Sequence, residues 1–432
     1  MNKTINNSDS FSKRKFLKQI FTGSVASLSI PAWADAYSSS IKEDFYSLST
    51  HNNAADERYW EMVKKQFTIS DKLLMVNAAN LCPSPYFVTE QAMDAHEKLE
   101  KDVSFQYRSV FASEREQALK LLAEFVGVNT EEIGITRNTT ESNNIIVHGL
   151  DLKKGDEVLL WDQNHPTNGI AWEQQAKRYG FSVKTISLPL SPTSTDQLIG
   201  PFTEAITSKT RLISFSHISN SSGIALPAKE ICALAKAKNI LSMVDGAQSL
   251  GMMNLDLKDM GCDFYTSSTH KWLMGPLENG ILYVKKEQLD RVWPAIIGAG
   301  WNSESNTVDE KLCMLGQRNE PSASALAAIV NFHHTIGKQQ IEERVKALNT
   351  YLKQEIKKKI PTATFVTPLA PALSGGVTIM NLPAREPRAV FQTLYEAHGI
   401  ACAPTGGLRF SPHIYNTLAD IDRIVEALTT IV

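Results

Sequence analysis

The hexapeptide Ser267-Ser268-Thr269-His270-Lys271-Trp272 sets an amine between an imidazole and an indole, just after a run that reads as buried strand. Holding a lysine charged away from water is costly, so its ammonium either snorkels to the surface or is retained as a reactive amine. Asp245 precedes it by twenty-six residues and ends the apolar run Ile240 to Val244. A half-buried carboxylate needs a cation or a donor to stay ionised, and a pyridinium nitrogen is such a partner. An amine whose pKa is lowered by desolvation and a neighbouring cation is the nucleophile that Schiff-base chemistry requires. Taken singly, Asp245 reads as a helix cap and Lys271 as a snorkelling surface lysine; only together, and with the motifs upstream of them, do the two favour the chemical reading.

The elements that must position these groups are written in the hydrophobic pattern. Short apolar runs occur at 133–135, 158–161, 183–186, 212–215, 240–244 and 281–284, and helix-period segments such as Ile170 to Tyr179 and Ala228 to Lys238 lie between several of them. Glu114 to Val126 sets Ala118, Leu121, Leu122 and Phe125 on one helical face. Branched strands alternating with helices of ten to fifteen residues predict an α/β fold with a mostly parallel, helix-covered sheet. In such sheets ligands bind beyond the carboxyl ends of the strands. Polar clusters fall there: Arg137 to Glu141, Asp162 to His165, His217 to Asn220 and Asp245 to Gln248. Thr139 and Thr140 precede a helix-like run, where hydroxyls and free N–H groups bind phosphate, or where a threonine simply caps a helix. The pattern divides into an N-terminal segment over 37–84, a large domain over 85–309 and a smaller α+β domain over 310–432, whose last helix spans Ala419 to Ile431.

The 432 residues are 43% hydrophobic and 21% charged, which suits a globular chain long enough for two domains. A net charge of -2 gives no electrostatic footprint for nucleic acid or an anionic membrane, so a small-molecule partner is expected. Cys82, Cys232, Cys262, Cys313 and Cys402 are scattered and odd in number, which predicts neither a disulfide framework nor a metal site. His333-His334 is too thin a basis for a metal requirement.

These motifs, in this order, resemble the fold-type I pyridoxal-phosphate enzymes, and among them the class V aminotransferase group that includes cysteine desulfurases and isopenicillin N epimerase-like proteins. The likeness runs from about Leu73 to Asn416. It implies pyridoxal 5'-phosphate as cofactor, with Lys271 as the catalytic lysine that carries the aldehyde and shuttles the Cα proton. Asp245 is then the partner of the ring nitrogen, Gln248 a donor to the phenolic oxygen, and His165 of Asn164-His165-Pro166 the imidazole stacked on the ring. The family often has glutamate where Asn164 stands. Thr139, Thr140, Ser268 and His270 complete a phosphate cup, Asn220 lies beside the phenolic side of the ring, and Arg409 of Gly407-Leu408-Arg409-Phe410 clamps the substrate carboxylate. Gln317 falls where relatives carry a threonine on a loop reaching the partner subunit's phosphate, and the likeness implies a homodimer.

The reaction is left open by the shared cofactor. A cysteine desulfurase needs a nucleophilic thiolate on a mobile loop shortly before the carboxylate-binding arginine. Cys402 lies seven residues before Arg409, at the end of an apolar run, and the usual Gly-x-His-Cys loop is missing. A non-catalytic binding protein would tolerate loss of the lysine, aspartate or arginine, and all three are present. The remaining expectation is an exported enzyme tailoring the amino-acid part of a peptide or secondary metabolite, similar to the periplasmic enzymes that modify the siderophore pyoverdine.

The N-terminus supports export. Residues 1–15 carry Lys13, Arg14 and Lys15 against one acid, and Phe16 to Ala34 is weakly apolar, ending in Ala32-Trp33-Ala34 and Ala34-Asp35-Ala36. This reads as a signal peptide over 1–36; a disordered tail ending in a short amphipathic helix is the alternative. Ser12 to Lys18 resembles a twin-arginine signal with Lys13 in the first arginine position. That route carries folded proteins and would deliver a cofactor-loaded enzyme to the periplasm. No later segment approaches eighteen apolar residues, so no stable membrane insertion is expected after cleavage.

Overall fold

The computed structural model describes residues 56–299 and 301–432; the signal peptide read over 1–36 lies outside the described residues. Among the described residues the first helix, Glu57–Lys64, is capped by the Asp56 carboxylate, and the two-residue strand β1 (Leu74–Met75) follows. The main sheet is built from β2 (Ile133–Thr136), β3 (Glu157–Trp161), β4 (Ser182–Ile186), β5 (Thr210–Ser216), β6 (Leu241–Asp245), β7 (Phe264–Ser268) and β8 (Gly280–Val284), in the order β2-β8-β7-β6-β5-β3-β4. β8 alone runs against its neighbours β2 and β7; the other pairs are parallel. β6, β7 and β8 are buried along their whole length, as strands covered by helices on both faces must be. β4, at the edge, is the least buried strand of this sheet, with Ser182 and Thr185 exposed and Ile186 buried.

The helices that cover the sheet start and stop where local chemistry allows. Pro166–Tyr179 begins four residues earlier than its apolar period suggests, because His165 caps it and Pro166 supplies the fixed φ of a first turn. It ends at Gly180, φ 78°. Val110–Val126 buries Ala118, Leu121, Leu122 and Phe125 as predicted. The carboxyl ends of β2, β3, β5, β6 and β7 share one edge, and β8 starts there, with Gly280 opposite both Thr136 and Ser268. A Cβ on Gly280 would lie 2.7 Å from the Ser267 carbonyl oxygen and 2.8 Å from Asn138 Cα, so glycine is what lets the loop after β2 close beside Ser268.

Residues on both sides of position 310 pack against the elements of the main sheet. Asp309 accepts from the Ile135 N–H at 2.9 Å and pairs with Arg115 at 2.6 Å. The helix Leu326–Ile336 adds Leu326, Ile329, Val330 and Phe332 to the large core. The second core begins along the helix Lys338–Lys359, whose residues pack with β9 (Thr364–Phe365), β10 (Thr378–Asn381), β11 (Ile400–Ala401), β12 (Leu408–Phe410) and the helices Pro387–His398 and Leu418–Ile431. A helical period cannot say which core a helix joins. The N-terminal segment is tied to this smaller unit: β1 pairs in parallel with β11, Lys64 pairs with Asp420 at 2.7 Å, and Glu57 pairs with Arg344.

Candidate active site

The site forms at the shared edge of the sheet. Asp245 ends β6, is 2% exposed, and accepts at Oδ1 from the Ala247 N–H (3.1 Å) and at Oδ2 from Asn143 Nδ2 (3.0 Å). Lys271 stands three residues beyond β7. Its Nζ has no hydrogen-bond partner among the described residues, and burial pulls its pKa below the usual lysine value; Arg409 adds to that fall and Asp245 opposes it. His165 is also held below its ordinary value, first by burial and then by Lys271, with Asp245 acting in the opposite sense. These mutual effects place Asp245, Lys271, His165 and Arg409 in one electrostatic neighbourhood.

At the β2 end, Asn138 caps the helix Thr139–Gly149, accepting from the Glu141 N–H at 3.0 Å. The Thr139 N–H donates to Ser268 Oγ at 2.8 Å, and the two hydroxyls lie 2.6 Å apart. A helix N-terminus with two hydroxyls before it is a ready anion seat. Thr140 is exposed on the first turn. His270 is pushed down to about 4 by burial and by Lys271, and its buried Nδ1 has no partner.

Arg409, on β12, is 4% exposed and faces no carboxylate among the described residues. Nη2 donates to Asn77 Oδ1 at 3.0 Å and Nη1 to the Asn220 carbonyl at 3.3 Å, while its buried Nε is unpartnered. Burial brings its pKa down to about 10. A guanidinium buried without an anion is incomplete until a carboxylate arrives. Asn220 thus sits against the arginine through its backbone.

Gln248 is partly committed within the protein and keeps one amide hydrogen for a further acceptor. Its Nε2 donates to the Ala79 carbonyl at 2.9 Å and its Oε1 accepts from the Trp272 indole at 2.7 Å, so one amide hydrogen and the oxygen are already committed. The indole beside Lys271 is therefore a buried strut. Gln317 is exposed on the loop after the helix Val308–Leu312 and is not brought to the other site residues of its own chain by any contact.

Three site residues, Asn143, Thr266 and Asn77, escaped the sequence reading, and a fourth, Asn164, was marked there only as a departure from the family pattern. Asn143 and Thr266 form a chain to Asp245; Asn77 holds Arg409; and Asn164 donates to the Ser214 carbonyl and accepts from the Ser216 N–H, both at 2.8 Å, fastening the His165 loop to β5. A neutral amide can do both, which the glutamate common in relatives cannot. Asn143 lies four residues after Thr139, one helical turn, and that spacing is the signal that was available.

The residues fit pyridoxal phosphate: a helix N-terminus with hydroxyls for the phosphate, a buried carboxylate for the ring nitrogen, an unpartnered lysine amine for the aldehyde, and two orphaned polar atoms, His270 Nδ1 and Arg409 Nε. A cleft of about 730 Å³ lined by Leu81, Met93, Pro276 and Leu277 lies beside this centre without including Lys271, Asp245 or Arg409. A hollow of about 520 Å³ borders Asn138 and Thr140 and continues to Ile296 and Leu315.

The family model for aminotransferase class-V matches residues 83–424. Isopenicillin N epimerase of Amycolatopsis lactamdurans is 29% identical over 394 residues, covering 85% of this chain and 98% of that protein. A probable cysteine desulfurase of Halalkalibacterium halodurans is 29% identical over 402 residues, covering 85% and 96%. The solved structure of a lysine-to-alanine mutant of C-DES, with glycine covalently linked to its PLP cofactor, superposes with a TM-score of 0.78 at 22% identity over 85% of this chain and 98% of that one. With the class V model spanning most of its length and a fold to match, the chain belongs to the aminotransferase class-V family, whose members depend on pyridoxal phosphate.

Proposed function

We propose that this chain is an exported pyridoxal-phosphate enzyme acting at the α-carbon of an amino acid or a peptide-like secondary metabolite, by epimerisation or amino-group transfer. The observation that carries the reading is the buried guanidinium of Arg409, without an acid partner, in the same electrostatic neighbourhood as the unpartnered amine of Lys271. Arg409 would orient the substrate by its carboxylate. When bound, the cofactor supplies an electron sink for charge developing at Cα. Lys271 would take and return the proton there, its amine disposed by burial to stand unprotonated more readily than a solvated lysine. Asp245 would hold the ring nitrogen, and His165 would cover one face of the ring and exclude water.

Sulfur transfer is the weaker reading. All five cysteines are buried, and Cys402, 3% exposed, has its thiol pushed up to about 12 by burial. A thiolate nucleophile needs the opposite environment. A non-catalytic role would leave the lysine, aspartate and arginine without a purpose. Export is supported by the residues Ser12 to Lys18 and the small-residue motif at 32–36. A homodimer is supported by the exposed apolar side chains Trp293, 71% exposed, Ile296 and Ile297, of which Ile296 lines the hollow at Thr140.

The test is direct. Purified protein should be yellow, and borohydride or Lys271→Ala should abolish the visible band; a colourless protein that still turns over substrate would refute the reading. Exchange of the Cα hydrogen with solvent without net transfer marks epimerisation, whereas amino transfer to a keto acid marks an aminotransferase. Cysteine-dependent sulfide release requiring Cys402 would restore the desulfurase. Unchanged periplasmic delivery after replacing both Lys13 and Arg14 would count against a twin-arginine route.

A further inference from the structure

Asp245 is the only charged member of a buried chain of three side chains. Thr266 Oγ1 on β7 donates to Asn143 Oδ1 at 2.6 Å, and Asn143 Nδ2 donates to Asp245 Oδ2 at 3.0 Å. Thr266 and Asn143 are fully buried. The amide can face only one way: turned over, it would set its oxygen against a carboxylate oxygen. With Ala247 N–H on Oδ1, each oxygen of Asp245 has one protein donor and keeps a lone pair for a further one.

We propose that Asn143, backed by Thr266, is a positioning residue that fixes the plane of the Asp245 carboxylate and so sets the charge it presents to the cofactor ring. Asn143 stands one turn into the helix whose first residue, Thr139, contributes to the phosphate seat. One rigid element thereby spaces the seat for the phosphate from the partner of the ring nitrogen, and β7 carries both Thr266, behind Asn143, and Ser268, at the seat. The titratable groups around Asp245 are Lys271, His165 and the buried phenol of Tyr265; Arg409 and His270 also face Lys271.

The inference rests on the cofactor placement proposed above, and the test separates the two. Visible absorbance of the cofactor-loaded protein is titrated with pH for wild type, Asn143→Ala, Thr266→Val and Thr266→Ser. A loosened Asp245 holds less positive charge on the far side of the ring, so the Lys271 nitrogen should keep its proton to higher pH. The midpoint should rise by roughly half a unit or more in Asn143→Ala and by less in Thr266→Val. Thr266→Ser, which restores the hydroxyl, should titrate as wild type, and the double variant should shift less than the sum of the singles. Cofactor dissociation should quicken in parallel. Midpoints within about 0.1 unit of wild type in both Asn143→Ala and Thr266→Val, or equal shifts in Thr266→Val and Thr266→Ser, would overturn the inference. If Asn143→Ala does not fold, the two Thr266 variants decide. Absence of a visible band in wild type would strike the cofactor placement instead.

Discussion

Asn77 Oδ1 accepts a hydrogen bond from Arg409 Nη2 at 3.0 Å, joining the N-terminal segment to the strand that carries the site's buried arginine. The amide is neutral, so it orients the guanidinium without satisfying its charge. An aspartate in its place would do both.

Asn77→Asp should therefore raise KM for an amino acid the wild type turns over, with a smaller effect on kcat. Arg409→Ala should lower kcat/KM by roughly a hundredfold or more, the usual scale for truncating one partner of a buried ion pair. Steady-state kinetics with both variants checks this. Equal KM in Asn77→Asp and wild type would remove Arg409 from carboxylate binding.

Cys402 lies in the second core with Ile400, Leu408 and Phe410. Cys402→Ala should keep the visible band and turnover within about twofold and cost about 1 kcal/mol of stability, as small cuts in a core do. Denaturant unfolding and a turnover assay suffice; loss of turnover at full cofactor loading would show the thiol at work.

His413 Nε2 donates to the Trp272 carbonyl at 2.7 Å and its Nδ1 accepts from the Ile414 N–H at 2.8 Å, which holds the peptide after Lys271 and requires a neutral ring. Burial pushes this imidazole down to about 4. An unfolded histidine takes a proton near pH 6.5. Between those values the unfolded state binds more protons, so this contribution to stability is complete above about pH 6.5 and is lost as pH falls toward 4. The loss is on the order of 3 kcal/mol. Urea unfolding at pH 7.5, 5.5 and 4.5 should show a shallower acid slope in His413→Gln than in wild type; equal slopes would contradict the assignment.

Gly280→Ala should weaken cofactor binding more than it alters the distant small domain. The new methyl would meet the backbone at Ser267 and Asn138, and overpacking costs roughly 1–3 kcal/mol. Equilibrium dialysis of the cofactor, with thermal unfolding of the apoprotein alongside, separates the two effects. Undiminished cofactor affinity would mean the loop after β2 yields freely.

The sequence by itself determined the alternation of strands and helices, because period and branched-residue content are local. It also marked Asp245 and Lys271, each at the end of an apolar run where a charged side chain is conspicuous, and, through the family likeness of the motifs around them, His165 and Arg409. It did not reveal Asn143, Thr266 or Asn77. They are neutral polar residues of common types whose partners lie 102, 123 and 332 positions away; the one-turn spacing of Asn143 from Thr139 is the single local sign, and it names no partner. The placement of Gln248 against Ala79 and Trp272, the joining of the helix Leu326–Ile336 to the large core, and the sealing of Cys402 were likewise decided by tertiary packing. Hydrogen-bond satisfaction in a buried site is a property of several distant segments meeting at once, and only the folded chain brings them within reach.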